Sequence, residues 1–294
     1  MSSVLDDLKY TYRQGTTLMK LIYINLGLFI VVQIFFVFSA LMQLEYLHDI
    51  PQNWLSVPSN IVSLLFKPWT LFTYMFFHTD FWHIFWNMLV LFFLGRVYES
   101  YLGQKRLLST YILGGLFGAV CYIVAYNVFP LFSEAIEFSK ALGASGAVYA
   151  IMVGMAVHNP NYKFHLFGIL ELKLKYIVLF LIIKDFISIP YENPGGHIIH
   201  LGGAFLGYLD IARYRRGKDI SAWFYNWTRA IGNLFKPKSK MKVAYKRPKT
   251  DEDYNVEKKA SQARIDMILD KINRSGYDSL SQDEKDDLFN ASQR

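Results

Sequence analysis

The sequence predicts an all-α, polytopic membrane protein, a bundle of six transmembrane helices followed by a small cytoplasmic helical tail. Three observations predict this fold class. The 294 residues are 53% apolar and only 19% charged, whereas a soluble domain carries about 25% charged residues. The apolar residues fall in long runs, and basic residues gather in alternate loops between those runs. Beyond residue 216 the chain becomes strongly basic and then acidic, which separates a tail from the apolar part.

Six apolar runs are separated by polar loops. A membrane-spanning helix needs about 20 mostly apolar residues, although helices inside a bundle tolerate glycine and an occasional polar group. The runs cover residues 21–44, 81–94, 107–132, 143–157, 176–190 and 198–212. The third and sixth runs are rich in glycine, which is common where membrane helices pack closely. We therefore expect six spans.

Basic residues in the loops predict the orientation of these spans. They precede the first run and follow the second, fourth and sixth: Lys9, Arg13, Lys20, Arg96, Lys105, Arg106, Lys163, Lys173, Lys175, Arg213, Arg215 and Arg216. The opposite loops carry mainly Lys67 and Lys140. Because cytoplasmic loops are enriched in basic residues, both termini are expected in the cytoplasm. The first 20 residues have no apolar core of a signal peptide, and together with the simple topology this favours a bacterial inner membrane.

The loop at residues 45–80 is then external and long. Its aromatic side chains give it enough apolar surface to lie in the outer interface of the bilayer. These side chains are Trp54, Phe66, Trp69, Phe72 and Phe76.

Composition divides the chain into three domains: a membrane domain at residues 1–216, a basic juxtamembrane segment at 217–250 and a helical tail at 251–294. Residues 213–250 hold 12 basic residues and one acidic residue, which suits anionic lipid headgroups. A basic stretch beside a last span is usually topological, so we expect no binding of nucleic acid. Within this stretch, apolar residues at helical spacing predict an amphipathic helix on the inner membrane surface: Ile220, Trp223, Phe224, Trp227, Ile231 and Phe235.

The tail is predicted to form a helical hairpin. Ile265, Ile268, Leu269 and Ile272 share one helical face, and Gly276 then breaks the first helix. Ser281 followed by Glu284 is typical of a capping box at the start of the second helix. The sequence names no partner for this tail.

Three polar motifs lie inside the apolar runs, where polar groups are expensive and therefore suggest a site. The second run holds His83 and Asn87, which are four residues apart and share a helical face. The fourth run opens with Gly143, Ser145 and Gly146, and Tyr149 follows one turn later. The sixth run opens with His200, and Gly203 and Gly207 continue its stripe. The predicted orientation puts the starts of the fourth and sixth runs on the same, external side.

These side chains together predict a hydrolytic site. Ser145 would be the nucleophile and His200 the general base, because a serine hydroxyl needs a neighbouring base to take its proton. No carboxylate obviously stands behind His200, so the sequence predicts a Ser–His dyad. Tyr149 would hold the imidazole, while His83 and Asn87 would join the Ser145 N–H in stabilising the oxyanion. Hydrolysis also requires a polar, water-filled cavity.

Other roles for these residues fit the sequence less well. The glycine stripe alone is typical of helix packing, and Gly146, Gly203 and Gly207 are expected to bring two helices close together. His78, His83 and His200 could bind a metal, but no cysteine or carboxylate cluster and no His-Glu-x-x-His pattern accompanies them, so we expect neither metal nor cofactor. A transport path along Lys184, Asp185 and Asp210 is disfavoured, because the chain has no internal repeat.

The order of these motifs resembles the rhomboid family of intramembrane serine proteases over roughly residues 55–212. The resemblance implies a six-helix bundle with a membrane-embedded first loop. It assigns the nucleophile to Ser145, the base to His200 and the oxyanion site to His83 and Asn87, with Gly143 in the nucleophile motif. Glu99 and Gly103 resemble the structural acid–glycine element of that family.

Two positions depart from the family pattern. Thr70 follows Trp69 where the family often has arginine, and Ile199 precedes His200 where the family often has alanine.

The motifs and the resemblance together predict an endopeptidase that hydrolyses peptide bonds in or near the transmembrane segments of membrane-anchored protein substrates. The alternative is a catalytically silent rhomboid-like protein that binds membrane helices without cutting them.

Overall fold

The fold is given by a computed structural model that describes residues 12–166, 170–234 and 250–292. Most of these residues are helical. They belong to two compact units, residues 1–236 and residues 237–294, which are described separately below.

The principal α-helices of the first unit are numbered here in chain order. They are α1 Thr17–Leu41, α2 Asp49–Leu55, α3 Ile61–Phe66, α4 Thr70–Thr73, α5 Phe81–Leu102, α6 Gln104–Val128, α7 Ser145–His158, α8 Leu174–Ser188, α9 Pro194–Tyr214 and α10 Ile220–Leu234. Two short antiparallel strand pairs join them. In these pairs β1 Val57–Pro58 lies beside β2 Lys140–Ala141, and β3 Lys163–Leu166 lies beside β4 Leu170–Lys173.

Three of these helices, α1, α5 and α6, are long and apolar enough to cross a membrane. Each of the six apolar runs forms one helix, from α1 and α5–α9, but α7 has only 14 residues. The membrane character of the chain is therefore supported, and the count of six spans stays a prediction. The β3–β4 hairpin was not predicted, although polar and apolar residues alternate in both of its strands.

Helix α7 lies at the centre of the first unit. Ten of its 14 residues are buried, as expected of an apolar helix surrounded by other helices. It meets α9 at two points of very close backbone approach. A Cβ atom on Gly203 would lie 2.0 Å from the Gly146 carbonyl oxygen, and one on Gly207 would lie 2.1 Å from the Ala150 carbonyl oxygen. Only glycine fits at these positions, so the pair of contacts fixes where α9 stands against α7.

The aromatic side chains of the loop at residues 45–80 differ in exposure. Trp54 and Trp69 stack with ring centroids 5.6 Å apart, and both stay substantially exposed. Phe76 is different, because it is buried in the core instead of facing outward. The pairing of β1 with β2 ties this loop to the segment that leads into α7.

Glu99 links α5 to α1, and Gly103 links α5 to α6. The Leu18 N–H in the first turn of α1 donates to Glu99 Oε1 at 3.3 Å, which satisfies one of the free N–H groups of that helix start. Gly103 joins α5 to α6 with φ of 82°, a left-handed conformation that favours glycine.

A group of buried polar side chains, called here the arginine cluster, lies where α5, α6, α9 and α10 meet. Its members are Tyr98, Arg106, Thr110, Asp210 and Ser221. Arg106 Nη1 lies 3.1 Å from Asp210 Oδ1, and both side chains are buried. Thr110 donates to Asp210 Oδ2 at 2.9 Å, and Ser221 lies 3.0 Å from both carboxylate oxygens.

The arginine cluster bears on two sequence-based interpretations. Arg106 is not a free loop charge, since it is buried against Asp210 and also reaches the Asp219 carboxylate at 2.5 Å. The disfavoured transport path through Asp185 and Asp210 gains no support, because both oxygens of Asp210 are occupied by Arg106, Thr110 and Ser221.

Helix α10 forms within the stretch that was predicted to be an amphipathic helix. Phe224 is buried against the bundle, whereas Trp223 and Trp227 are exposed. The Lys105 ammonium lies 4.6 Å from the centre of the Tyr225 ring, which adds a contact between α6 and α10. Most of the later part of the predicted basic segment, residues 235–249, and the side chains of Ile231 and Phe235 lie outside the part of the chain that the structure describes.

The second unit contains α11 Asp251–Ser275 and α12 Gln282–Ser292. Thr250 and Asp253 form a capping box at the start of α11, and Gly276, with φ of 78°, follows its end. Ile268 is buried, whereas Leu269 is exposed although both were assigned to one face. The predicted capping box of α12 is present, because Ser281 N–H donates to Glu284 and Glu284 N–H donates to Ser281 Oγ.

Candidate active site

The predicted polar residues of three helices meet at one cavity. This cavity has a volume of about 750 Å³ and lies among α5, α7, α8 and α9. Among the residues that line it are His83, Asn87, Ser145, Tyr149 and His200. The sequence motifs of the second, fourth and sixth apolar runs therefore contribute to a single site.

Ser145 is the first residue of α7 and is half-buried at the cavity. The turn before it is held by backbone contacts. Gly143 has φ of 111°, and its N–H donates to the Tyr74 carbonyl at 2.9 Å. The Ala144 N–H donates to His78 Nε2 at 3.1 Å. The nucleophile candidate thus stands on a fixed turn at a helix start, where free N–H groups are available to an oxyanion.

His78 lies behind this turn, completely buried. It does not line the cavity with His83 and His200, although its ring lies 5.0 Å from that of His83 between centroids.

His83 and Asn87 stand on the side of the cavity formed by α5. Asp80 caps this helix by accepting from the His83 N–H at 2.8 Å. The Asn87 amide donates to the His83 carbonyl at 2.9 Å. A Cβ atom added to Gly143 would lie 2.7 Å from His83 Nε2, so the imidazole rests directly against the turn that carries Ser145.

His200 is held between α7 and α8. The Tyr149 ring stacks on its imidazole with centroids 4.3 Å apart and planes within 11°. Ile199, next to it, packs into the space left by two glycines, since a Cβ atom would lie 2.6 Å from its Cγ2 atom at Gly146 and 2.7 Å from its carbonyl at Gly118. The larger residue at position 199 is thereby accommodated. Thr70, the other departure from the family pattern, is buried and donates to the Lys67 carbonyl at 2.6 Å.

A carboxylate stands behind His200, contrary to the sequence-based expectation. Asp185 of α8 is 1% exposed and lies between two histidines of α9. His200 Nδ1 is 2.9 Å from Asp185 Oδ2, and His197 Nδ1 is 2.9 Å from Asp185 Oδ1. We call these three residues the histidine cluster.

Sequence reasoning missed the role of Asp185 although a signal was present. An acidic residue in an apolar run is itself unusual, and His197 precedes His200 by three residues and so shares its helical face. The pairing could not be read from the pattern, because it joins two different helices.

The histidine cluster could also hold a metal, since one ligand atom from each residue lies within 4.8 Å of the others. The two Nδ1–carboxylate hydrogen bonds already account for this proximity. Within the described residues no hydrogen bond joins Ser145 to His200. Bonds of this kind are commonly long in a free enzyme and tighten with substrate.

Comparisons of the sequence with known proteins identify the family of this chain. The family model of the rhomboid domain matches residues 65–216. A family of unknown function, DUF6576, matches residues 249–294, which cover the helical tail. A curated relative, the RHOMBOID-like protein 12, mitochondrial, of Arabidopsis thaliana, is 32% identical over 158 residues, or 51% of this chain and 47% of that protein. The chain thus spans about half the length of the curated relative it matches.

The rhomboid domain match covers more than half of the 294 residues and includes every motif at the cavity. The chain belongs to the rhomboid family.

Proposed function

We propose that this protein is an intramembrane serine endopeptidase that cuts membrane-anchored protein substrates in or near their transmembrane segments. The observation that carries the proposal is the shared cavity, which Ser145 and His200 line together with His83 and Asn87. A nucleophile, a base and polar groups suited to an oxyanion are the parts that acyl transfer requires.

The proposed reaction uses these residues as follows. His200 Nε2 takes the proton of the Ser145 hydroxyl while Ser145 Oγ bonds to the scissile carbonyl carbon. The negative charge on the carbonyl oxygen is met by the N–H groups at the start of α7 and by His83 and Asn87. The proton then passes to the leaving nitrogen as the C–N bond breaks, and water hydrolyses the acyl-enzyme by the same steps.

We further propose that six helices, α1 and α5–α9, span the membrane with both termini in the cytoplasm, as the distribution of basic loop residues predicts. The helical tail is then cytoplasmic, and the basic segment at 213–250 faces anionic headgroups. A bacterial inner membrane suits this simple topology. Reporter fusions at residues 76, 137 and 192, together with fractionation of a tagged chain, test orientation and location.

A substrate of this site has two expected properties. Its cleavage site lies in the outer half of a transmembrane segment, because the external orientation puts the cavity there. Its helix carries residues that weaken helical structure near that site, because the backbone must unwind to present its carbonyl.

The experiment reconstitutes the chain in proteoliposomes with a single-span substrate that carries such residues, and measures cleavage and fluorophosphonate labelling. Ser145→Ala and His200→Ala are expected to lose about 10⁴-fold or more in cleavage rate, because nucleophile and base act as one unit. Matched controls are Ser100→Ala and His48→Ala, which change a serine and a histidine outside the cavity.

The alternative, capture of membrane helices without cleavage, has one observation in its favour, the missing hydrogen bond between Ser145 and His200. It predicts that the wild-type chain binds the substrate in a pull-down yet neither cuts it nor reacts with fluorophosphonate. If Ser145→Ala and the parent cut equally, the proposal of a Ser145 protease is wrong.

A further inference from the structure

We propose that Asp185 is a positioning residue of the catalytic unit, so that the site works as a Ser145–His200–Asp185 triad whose carboxylate is braced by His197. This inference rests on the proposed protease function and deepens it. The Asp185 carboxylate contacts Nδ1 of His200, which leaves the other ring nitrogen, Nε2, to serve as the base.

The hydrogen bond fixes the tautomer of His200. An ionised carboxylate can only accept, so the 2.9 Å contact requires that Nδ1 of His200 carries the proton. The proton on Nδ1 leaves Nε2 with a free lone pair, which is the form that can take the Ser145 proton. In the other tautomer the proton is on Nε2, and that nitrogen then has no free lone pair with which to take the Ser145 proton.

The same carboxylate stabilises the charge that appears during the reaction. When Ser145 loses its proton to Nε2, the imidazole becomes an imidazolium, and Asp185 lies beside it without taking a proton itself. Because Asp185 is 1% exposed, this interaction is poorly screened by water. The Tyr149 ring, stacked on the imidazole, restricts rotation about the same hydrogen bond.

His197 explains why the carboxylate keeps its orientation. Its Nδ1 donates to the second oxygen of Asp185 at 2.9 Å, so each oxygen holds one histidine. His197 is buried, and its Nε2 atom has no hydrogen-bond partner within the described residues. His197 lines the cavity, but its Nδ1 atom is engaged by Asp185, which fits a role through that carboxylate and not at the reacting atoms.

Other charged or titratable groups also surround His200. Lys184 Nζ lies 3.5 Å from Asp185 Oδ1 and is half-exposed, so water screens its competition for the carboxylate. The remaining groups that face the imidazole or line the cavity are His83, Tyr149, Asp80, Lys140 and Glu192. None of them is hydrogen-bonded to His200 Nδ1, so Asp185 alone sets the tautomer.

The test replaces Asp185 by asparagine, which keeps the shape but presents an amide N–H₂ group to one of the two histidines. In proteoliposomes with the single-span substrate, Asp185→Asn is expected to lower kcat by about 10²- to 10⁴-fold, because an amide favours the wrong tautomer. KM is expected to stay within about twofold, since Asp185 acts on the base and not on substrate binding. Asp185→Glu is expected to recover part of the lost kcat.

The matched control is Asp210→Asn, which changes the buried aspartate of the arginine cluster. The folded fraction of that variant is expected to keep the parental kcat. A kcat of Asp185→Asn within threefold of the parent, or a loss equal to that of Asp210→Asn per folded molecule, overturns the proposal.

A measurement on the unaltered protein separates this proposal from the protease function and from failures of folding. Nitrogen-15 NMR of labelled histidine is expected to report His200 protonated at Nδ1 in the parent. Protonation of His200 at Nε2 in the parent overturns the positioning role, whether or not any variant folds. A parent that shows the Nδ1 tautomer but cuts no faster than Ser145→Ala overturns the protease function alone.

Discussion

Two aspartates are buried among the described residues of the first unit, and they have different surroundings. Asp185 lies between two histidines that line the cavity, whereas Asp210 lies among Arg106, Thr110 and Ser221, which do not line it. Both are nearly inaccessible to water, so burial alone does not tell them apart. The partners do, because a guanidinium is permanently charged and hydroxyls do not titrate, whereas a histidine gains or loses a proton near neutral pH.

This difference separates a structural carboxylate from a functional one. The arginine cluster joins α6, α9 and α10 through an ion pair and hydrogen bonds, which is what a contact between helices requires. The histidine cluster contacts the imidazole that would accept a proton during the reaction. An intramembrane aspartate is therefore best interpreted from the groups that it contacts, and the predictions below test that distinction.

The largest expected effect is on stability, at Asp210. Asp210→Ala leaves the buried Arg106 without its main partner, and removal of one member of a buried ion pair costs about 3 kcal/mol or more. We expect a clear fall in the thermal stability of the detergent-solubilised protein, with unchanged labelling per folded molecule. Asp219→Asn, which touches the same arginine from a half-exposed position, should cost less than about 1 kcal/mol. Equal losses in both variants would contradict the structural role of Asp210.

The next effect is on activity, at the contact between α7 and α9. In Gly203→Ala the new methyl group meets the Gly146 carbonyl at 2.0 Å, so the helices must separate and His200 moves relative to Ser145. A displacement of this size can lower the reaction rate by about 10²-fold. Fluorophosphonate labelling of Ser145 measures the loss.

The control for this variant is Gly27→Ala in α1, where no atom lies within 4 Å of the added methyl group, and its labelling should be unchanged. Parental labelling in Gly203→Ala would show that the site does not depend on this close approach.

The fold also shows which features can be predicted from the sequence and which cannot. The runs that form α1 and α5–α9 stand out because they are long and apolar, and Gly203 was assigned to a packing stripe from its spacing to Gly207. The burial of Phe76 and of Arg106 could not be predicted from their positions. Each depends on contacts with helices that are distant in the sequence, and composition alone places aromatic and basic loop residues at an interface.

The candidate site divides in the same way. Ser145, His200, His83 and Asn87 were identified because their chemistry is unusual inside apolar runs, and the structure brings all four to one cavity. Asp185 was noticed as a charge but assigned to no site, because its two bonds to His197 and His200 cross from α8 to α9. Spacing along one helix predicts a shared face, whereas it does not predict which face of a second helix comes opposite.

A smaller effect is expected at Ser221, which links α10 to the arginine cluster. Its hydroxyl lies 3.0 Å from both oxygens of Asp210, and loss of one such hydrogen bond typically costs about 1 kcal/mol. Ser221→Ala should lower thermal stability by that amount and speed hydrogen exchange in α10. Ser100→Ala, an exposed serine bonded within its own helix, is the control and should change neither. If α10 exchanges at the same rate in Ser221→Ala and the parent, Asp210 does not hold this helix.

The smallest effect extends the comparison to a carboxylate at the surface. The hydrogen bond from Lys271 Nζ, together with the Ser281 N–H, holds the pKa of Glu284 below its ordinary value of 4.5. A lowered pKa in the folded form means that the stabilisation is present above the ordinary pKa and is lost as pH falls through the lowered one. Protection of α12 amides in the full chain, measured by hydrogen exchange and corrected for intrinsic rates, should therefore fall in acid. Glu284→Gln should flatten this dependence, because glutamine does not titrate. Parallel curves for the two proteins would place the acid sensitivity of this helix on another group.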